Sequence, residues 1–298
     1  MFPRIVVATD MSEYAGRAER RAAMLARELG SKSLDLLYVI DSLALESLRH
    51  LTLPPLDAEQ RLMESSRTRM ARIEHQLSES YHVPVATTTL NVGRPPTEIA
   101  RYASVLNAGL VVIGAHGGGF VRDLFVGSMV DKVLRALICP LLIVKREPQV
   151  PYHTVLVPVD FSEASRRGVE LAFRIAPHGN ITVLHAFEVP FEAELQLSDK
   201  QMLVFREEVR AQRKRMMEQL AAGCRLGGAL TPSVSHVIEW GTPAAVIHAA
   251  TESLKPDLII VGKHGQSGGE DKLPGTVAKQ VIRDAPCDVL ITGGIERA

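Results

Sequence analysis

The chain has 298 residues, 46% of them hydrophobic and 23% charged, which excludes a mostly disordered protein and supplies apolar material for two buried cores. Lys and Arg number 34 and Asp and Glu number 34, and each half is balanced too: residues 1–148 hold 18 basic and 16 acidic side chains, the remainder 16 and 18. Neither half has the positive surplus that drives binding to a phosphate backbone, so nucleic acid is not expected as a main partner.

In chain order, Ile5–Thr9 is an apolar run of strand length, so the fold is expected to start at the first residues with no targeting segment ahead of it. Glu13 to Leu29 follows with apolar residues at helical spacing and stops at Gly30. Leu34–Ile40 is the second strand, and Asp57 to Ser80 a long helix with Leu62, Met70, Ile73 and Leu77 along one face. Val83–Val92 alternates around three threonines and reads as a strand. Pro95 then suits the first position of a helix, where its missing N–H costs nothing. Leu110–Ile113 is a fully apolar strand, Gly127 to Ala136 a helix and Leu141–Val144 a last strand.

The same series then returns. Ile5-Val-Val-Ala-Thr-Asp10-Met-Ser-Glu13 recurs 150 residues on as Val155-Leu-Val-Pro-Val-Asp160-Phe-Ser-Glu163. Gly93-Arg-Pro95, Gly114-Ala-His-Gly117, Gly127-Ser128 and Cys139 recur 148 residues on as Gly241-Thr-Pro243, Gly262-Lys-His-Gly265, Gly275-Thr276 and Cys287. The second series reads Val155–Val159, Ser162–Ile175, Ile181–Phe187, Ser198–Ala222, Thr231–Glu239, Pro243–Ser253, Leu258–Val261, Thr276–Asp284 and Val289–Ile291. The division expected is a first domain over 1–146, a polar linker over 147–152 that carries Pro148 and Pro151, and a second domain over 153–298.

Strands that are apolar throughout and alternate with helices imply an α/β fold, each domain a five-stranded parallel doubly wound sheet of order 3-2-1-4-5. Its ligand crevice lies beyond the carboxyl ends of the first and fourth strands, where the winding reverses. Asp10 and Gly114, and Asp160 and Gly262, fall there.

The spacing Gly114-x2-Gly117-x9-Gly127-Ser128 is matched by Gly262-x2-Gly265-x9-Gly275-Thr276. Glycines let backbone N–H groups approach a phosphate, and the helix opened by Ser128 or Thr276 turns its positive end toward the anion. No acid–base pair accompanies the loops. His116 and His264 are expected to position a phosphate rather than move a proton, and no histidine spacing indicates zinc.

Each copy is similar to a universal stress protein domain of the nucleotide-binding type, the loops with Asp10, Asp160 and the Cys139-Pro-Leu-Leu-Ile-Val144 tail carrying the resemblance over essentially the whole chain. The resemblance implies a tandem pair of Rossmann-like domains that bind ATP or AMP, with Mg2+ as a companion of ATP, in stress physiology. It also implies intramolecular pseudo-twofold pairing, with a homodimer as a further state. Adenosine contacts carried over fall on Ala8, Thr9, Asp10 and Val39, and phosphate contacts on Ile113, Gly114, His116, Gly117, Arg122, Gly127, Ser128 and Met129. In the second copy they fall on Pro158, Val159, Asp160 and Ala186, then Val261, Gly262, His264, Gly265, Gly275, Thr276 and Val277. The second loop puts Glu270 and Asp271 where the first has Arg122 and Asp123, and Pro274 removes a backbone donor. The second site is therefore expected to be weaker, metal-dependent or empty.

The function expected is an adenine-nucleotide-binding stress-response regulator, not an enzyme, though slow ATP hydrolysis stays compatible with the sequence. A nucleotide-independent scaffold or chaperone-like module is the alternative. A PP-loop enzyme ranks behind both, because Ser267-Gly-Gly-Glu-Asp271 follows the fourth strand rather than the first. Three sparse cysteines, Cys139, Cys224 and Cys287, read as small buried residues of a cytoplasmic protein, and no apolar run is long enough for a membrane span. Trp240 reads as strand packing, and the basic run 210–215 as a solvated helix face. Met63, Met70, Met202, Met216 and Met217 read as core, with an adaptable protein-binding surface as the rival.

Overall fold

The computed structural model describes residues 2–51, 55–116, 128–188, 198–224, 232–265 and 274–293. Two units emerge, dividing between Pro151 and Tyr152. The first contains β1 (Arg4–Thr9), α1 (Glu13–Glu28), β2 (Ser33–Asp41), α2 (Ser42–Leu51), α3 (Pro55–Tyr81), β3 (Val85–Gly93), α4 (Pro95–Val105), β4 (Leu110–Gly114), α5 (Ser128–Ala136) and β5 (Leu141–Val144). The second contains β6 (Thr154–Pro158), α6 (Glu163–Ile175), β7 (Asn180–Phe187), α7 (Asp199–Gly223), β8 (Ser233–Trp240), α8 (Pro243–Leu254), β9 (Leu258–Val261), α9 (Thr276–Asp284) and β10 (Asp288–Ile291).

In the first unit the strands run β3-β2-β1-β4-β5, all parallel, with Thr9 opposite Tyr38 and Val7 opposite Val112. In the second they run β8-β7-β6-β9-β10, again all parallel, with Leu156 opposite Ile259. Each is the order 3-2-1-4-5. Successive residues of the central strands, such as Ile5, Val6 and Val7 or Val155, Leu156 and Val157, are all buried. Both pleat faces are therefore covered by helices, which is why these strands are apolar without alternation.

Helix α1 starts at Ser12, whose hydroxyl accepts the Ala15 N–H, and buries a small-residue face of Ala15, Ala18, Ala22 and Ala23. Small side chains bring its first turn hard against the end of β4. A methyl group at Gly114 would lie 2.9 Å from the Tyr14 carbonyl carbon and oxygen. Three arginines of α1 also tie down the polar stretch after β5: Arg17 donates to the Lys145 carbonyl, Arg20 forms a two-pronged pair with Glu147, and Arg21 donates to the Val150 carbonyl. This anchors most of the stretch over 147–152 to the first unit. Tyr152 is buried in the second unit, where its hydroxyl donates to Asp288.

Several local expectations need correction. A helix, α2, follows β2 where the sequence reading placed none. It opens where Asp41 accepts the Leu43 N–H, and it buries Leu45 while leaving Leu43 exposed. Trp240 is 48% exposed and serves as a platform for the Arg206 guanidinium, 4.0 Å above its ring, rather than as strand packing. Arg210 is not merely solvated, since it donates twice to the Ile238 carbonyl. Of the methionines, Met70 and Met217 are core, while Met63, Met202 and Met216 are half-buried.

Gly114→Ala is expected to destabilise the first unit by about 1–3 kcal/mol, because its neighbour is helix backbone that cannot rotate away. Urea unfolding of the full chain checks this, and an unchanged first-unit transition would show that α1 can shift.

Candidate functional site

The site grows from the turn that follows the first strand of each unit. Asp10 Oδ1 accepts the Ser12 N–H at 2.9 Å, and Asp160 Oδ1 accepts the Ser162 N–H at 3.0 Å. Between them Met11 and Phe161 adopt left-handed backbone, φ 60° and 66°. That conformation is uncommon for side chains of their size and needs support from its surroundings. Ser12 and Ser162 then cap α1 and α6. The aspartate thus sits at the strand end with its neighbouring backbone already committed.

In the first unit this turn borders a cleft of about 310 Å³ at the carboxyl ends of β1 and β4. That is the size of a small-molecule site. Ala8, Thr9, Asp10, Val39, Ile113, Gly114, His116 and Met129 all line it, so eight of the residues carried over from the sequence meet there. Ala15, Leu37, Pro95, Ile99, Ala115 and Val130 complete it and were not foreseen. Pro95 and Ile99 come from one face of α4, four residues apart, a helical spacing that the sequence did display. The walls are mostly apolar, and the polar groups are few. His116 is one of them: its ring lies 5.0 Å from that of Tyr14, and its buried Nδ1 has no partner among the described residues. Gly117, Arg122 and Gly127 lie outside the described residues, and Ser128 enters only as the first residue of α5.

Behind the turn, away from the cleft, lies a polar arrangement that sequence reasoning missed. The Thr9 hydroxyl donates to Glu19 Oε1 at 2.5 Å and accepts the Met11 N–H at 2.8 Å. Glu19 is 6% exposed, and burial pushes its carboxyl above the usual carboxylate range. A second cavity of about 210 Å³ opens beside it, bordered by Met11, Ser12, Arg69, Arg72 and Ile73. Arg69 donates across it to the Met11 carbonyl.

The second unit keeps the backbone plan and changes the side chains. Val159 and Val169 replace Thr9 and Glu19. Phe161 replaces Met11 and packs on His185, ring centroids 4.5 Å apart. His185 is buried, donates from Nδ1 to the Val159 carbonyl, and is held below the usual histidine range by desolvation. Ser165, where the first unit has Ala15, donates to Asp160. Pro158, Val159 and Asp160 share this end of the sheet with Val261, Gly262 and His264, and Ala186 ends up opposite Glu239 on β7. The chain after β9 presses on the aspartate: a methyl at Gly265 would lie 2.7 Å from Asp160 Oδ2. The Gly275 N–H donates to the Lys263 carbonyl, and Thr276 and Val277 open α9. Glu270, Asp271 and Lys272 lie outside the described residues.

Comparison with known proteins agrees with this geometry. The model of the universal stress protein family matches residues 1–145 and again 151–293. Universal stress protein E of Salmonella typhi is 24% identical over 98% of this chain and 94% of its own length, and that of Escherichia coli K12 is 24% identical with the same coverage. Among solved structures, a universal stress protein from Archaeoglobus fulgidus superposes with a TM-score of 0.67 at 20% identity, covering 98% of this chain and 99% of its own. The chain therefore belongs to the universal stress protein family, with two such domains in tandem.

The buried Glu19 makes a pH signature. Its folded-state pKa lies above the unfolded value near 4.5, so its contribution to stability is complete below that value and declines as pH rises through the folded one. Relative to Glu19→Gln, which stays neutral, wild type is expected to lose stability from about pH 4.5 upward and to match it in more acid solution. Urea unfolding of both proteins across that range tests the sign, and a constant difference would refute it.

Proposed function

We propose that this tandem universal stress protein is an adenine-nucleotide-binding regulator, with ATP or AMP held in the first-unit cleft. The observation that carries the reading is the cleft itself. It has mostly apolar walls, stands at the point where the winding reverses, and ends in Thr9, Asp10 and a buried imidazole nitrogen without a partner among the described residues. An adenine ring suits the walls formed by Val39, Pro95, Ile99 and Met129. Asp10 has an oxygen chemistry suited to ribose hydroxyls. His116 and the start of α5 would meet phosphate, joined by the glycine loop with Arg122. No group of three or more His, Cys, Asp or Glu among the described residues could hold a metal, so Mg2+ would enter with the triphosphate.

The chemistry fits binding better than turnover. Phosphoryl transfer needs an aligned nucleophile and stabilised transition-state charge, and His116 has no carboxylate partner among the described residues. The second unit offers a poorer acceptor for ribose. Asp160 already accepts from Ser162 and Ser165 and has Gly265 against its other oxygen. All three cysteines are free thiols, in keeping with a reducing cytoplasm, and no described helix is long and apolar enough to cross a membrane.

Nucleotide released by denaturing the purified chain should be ATP or AMP by mass spectrometry. In titration calorimetry, Asp10→Ala should weaken ATP and AMP alike by about tenfold, the loss of one charged hydrogen bond. Gly117→Val should weaken ATP far more than adenosine. Asp160→Ala should leave the tighter phase intact. A chain that neither carries nor takes up nucleotide would favour the interaction-module reading instead.

Turnover is expected to stay well below typical enzyme rates, on the order of 1 per second or more. Faster ATP hydrolysis that disappears in His116→Ala would overturn the assignment as a binding protein.

A further inference from the structure

We propose that Glu19 is a positioning residue for the first-unit cleft: through the Thr9 hydroxyl it fixes the turn from Thr9 to Ser12 against which the nucleotide lies. The inference rests on the nucleotide-binding reading of that cleft. Glu19 does not line the cleft. It stands on α1, behind the turn, and its hydrogen bond to a cleft residue is the one with Thr9.

The chain of contacts is short. Glu19 Oε1 accepts a hydrogen bond from the Thr9 hydroxyl, which leaves the Thr9 oxygen lone pairs turned toward the Met11 N–H. That bond ties the left-handed Met11, φ 60°, to the strand end, and Met11 sets the path by which Ser12 N–H reaches Asp10 Oδ1. Thr9 and Asp10 both face the cleft. Loosening the far end of this chain frees the two residues that a ribose would meet. The cavity of about 210 Å³ behind the turn gives it room to move in that direction. Arg69 bonds the Met11 carbonyl there, from an exposed position on α3.

The second unit is an internal control for the fold. With Val159 and Val169 at the equivalent positions, it builds the same strand end, the same left-handed residue at Phe161 and the same serine cap. It packs the space behind with the Phe161 and His185 rings, over which Arg213 extends at 5.9 Å. The fold therefore does not require a hydrogen-bonded pair here. Burying a carboxyl is unfavourable relative to an apolar side chain of similar size. The first unit carries that cost at the one turn that borders the cleft.

The test is a double-mutant cycle on the full chain, using the second unit's own residues. ATP affinity is measured for wild type, Glu19→Val, Thr9→Val, the double variant and Glu19→Gln, with amide hydrogen exchange followed at Met11 and Ser12. Glu19→Val and Thr9→Val should each bind about tenfold more weakly, and the double variant no more weakly than Thr9→Val alone. Glu19→Gln, whose amide oxygen can accept the same hydroxyl, should bind within twofold of wild type. Exchange at Met11 and Ser12 should quicken in Glu19→Val and stay slow in Glu19→Gln. Should a single valine variant fail to fold, the double variant, which installs a pair already tolerated in this fold, carries the measurement. Unchanged ATP affinity in Glu19→Val beside a wild type that binds overturns the proposal alone, as do additive losses in the cycle. A wild type that takes up neither ATP nor AMP overturns it together with the reading beneath it.

Discussion

The turn after the first strand of each unit is the constraint on which the rest depends. A carboxylate accepts the amide two residues ahead, the residue between is forced left-handed, and the following serine caps the helix. Those bonds fix the direction in which α1 and α6 leave the sheet. They bring α1 close enough to β4 that Gly114 has no room for a methyl group. The crevice where the winding reverses is the space left over by that packing. Position of the aspartate, angle of the helix and shape of the cleft are consequences of one local geometry.

The same backbone plan tolerates two opposite side-chain solutions. The first unit hydrogen-bonds Thr9 to Glu19 behind the turn and keeps a cavity beside them. The second places valines at those positions and fills the space with Phe161 and His185. On the cleft side the difference is reversed, since Ala15 in the first unit is apolar while Ser165 in the second donates to Asp160. The two units share the strand order and the caps and differ in the polar groups at the strand ends. Differences at the strand ends change the lining of each crevice without changing the sheet, because the buried strand residues stay apolar in both units.

Electrostatics follow burial more than net charge. The chain is neutral overall, and its exposed ion pairs, such as Arg135 with Asp131, lie along helix surfaces where each contributes little. Desolvation also raises Glu28, Tyr102 and Cys224, and beside the strand ends it raises Glu19 in one unit and lowers His185 in the other. Both shifts favour the neutral form. Each unit thus keeps, behind the turn that shapes its crevice, a titratable group whose neutral form burial favours.

Much was legible from sequence because the signals are local. Continuously apolar strands, proline at helix starts and the recurring Asp10 and Gly114 landmarks gave the element order apart from α2, the 3-2-1-4-5 sheets and eight residues of the cleft. Those properties depend on backbone periodicity and on residues beside one another in the chain. What the sequence alone could not supply depends on which helix face meets which strand. The Glu19 carboxyl is ten residues from Thr9 and carries no motif, so only the packing of α1 on β1 shows the pair. The α4 wall of the cleft, the tie between α1 and residues 145–150, and the exposed Trp240 under Arg206 were likewise decided by tertiary contact. Distance in the chain says nothing of distance in space once helices are laid across a twisted sheet, and it is there that the two halves of this protein part company.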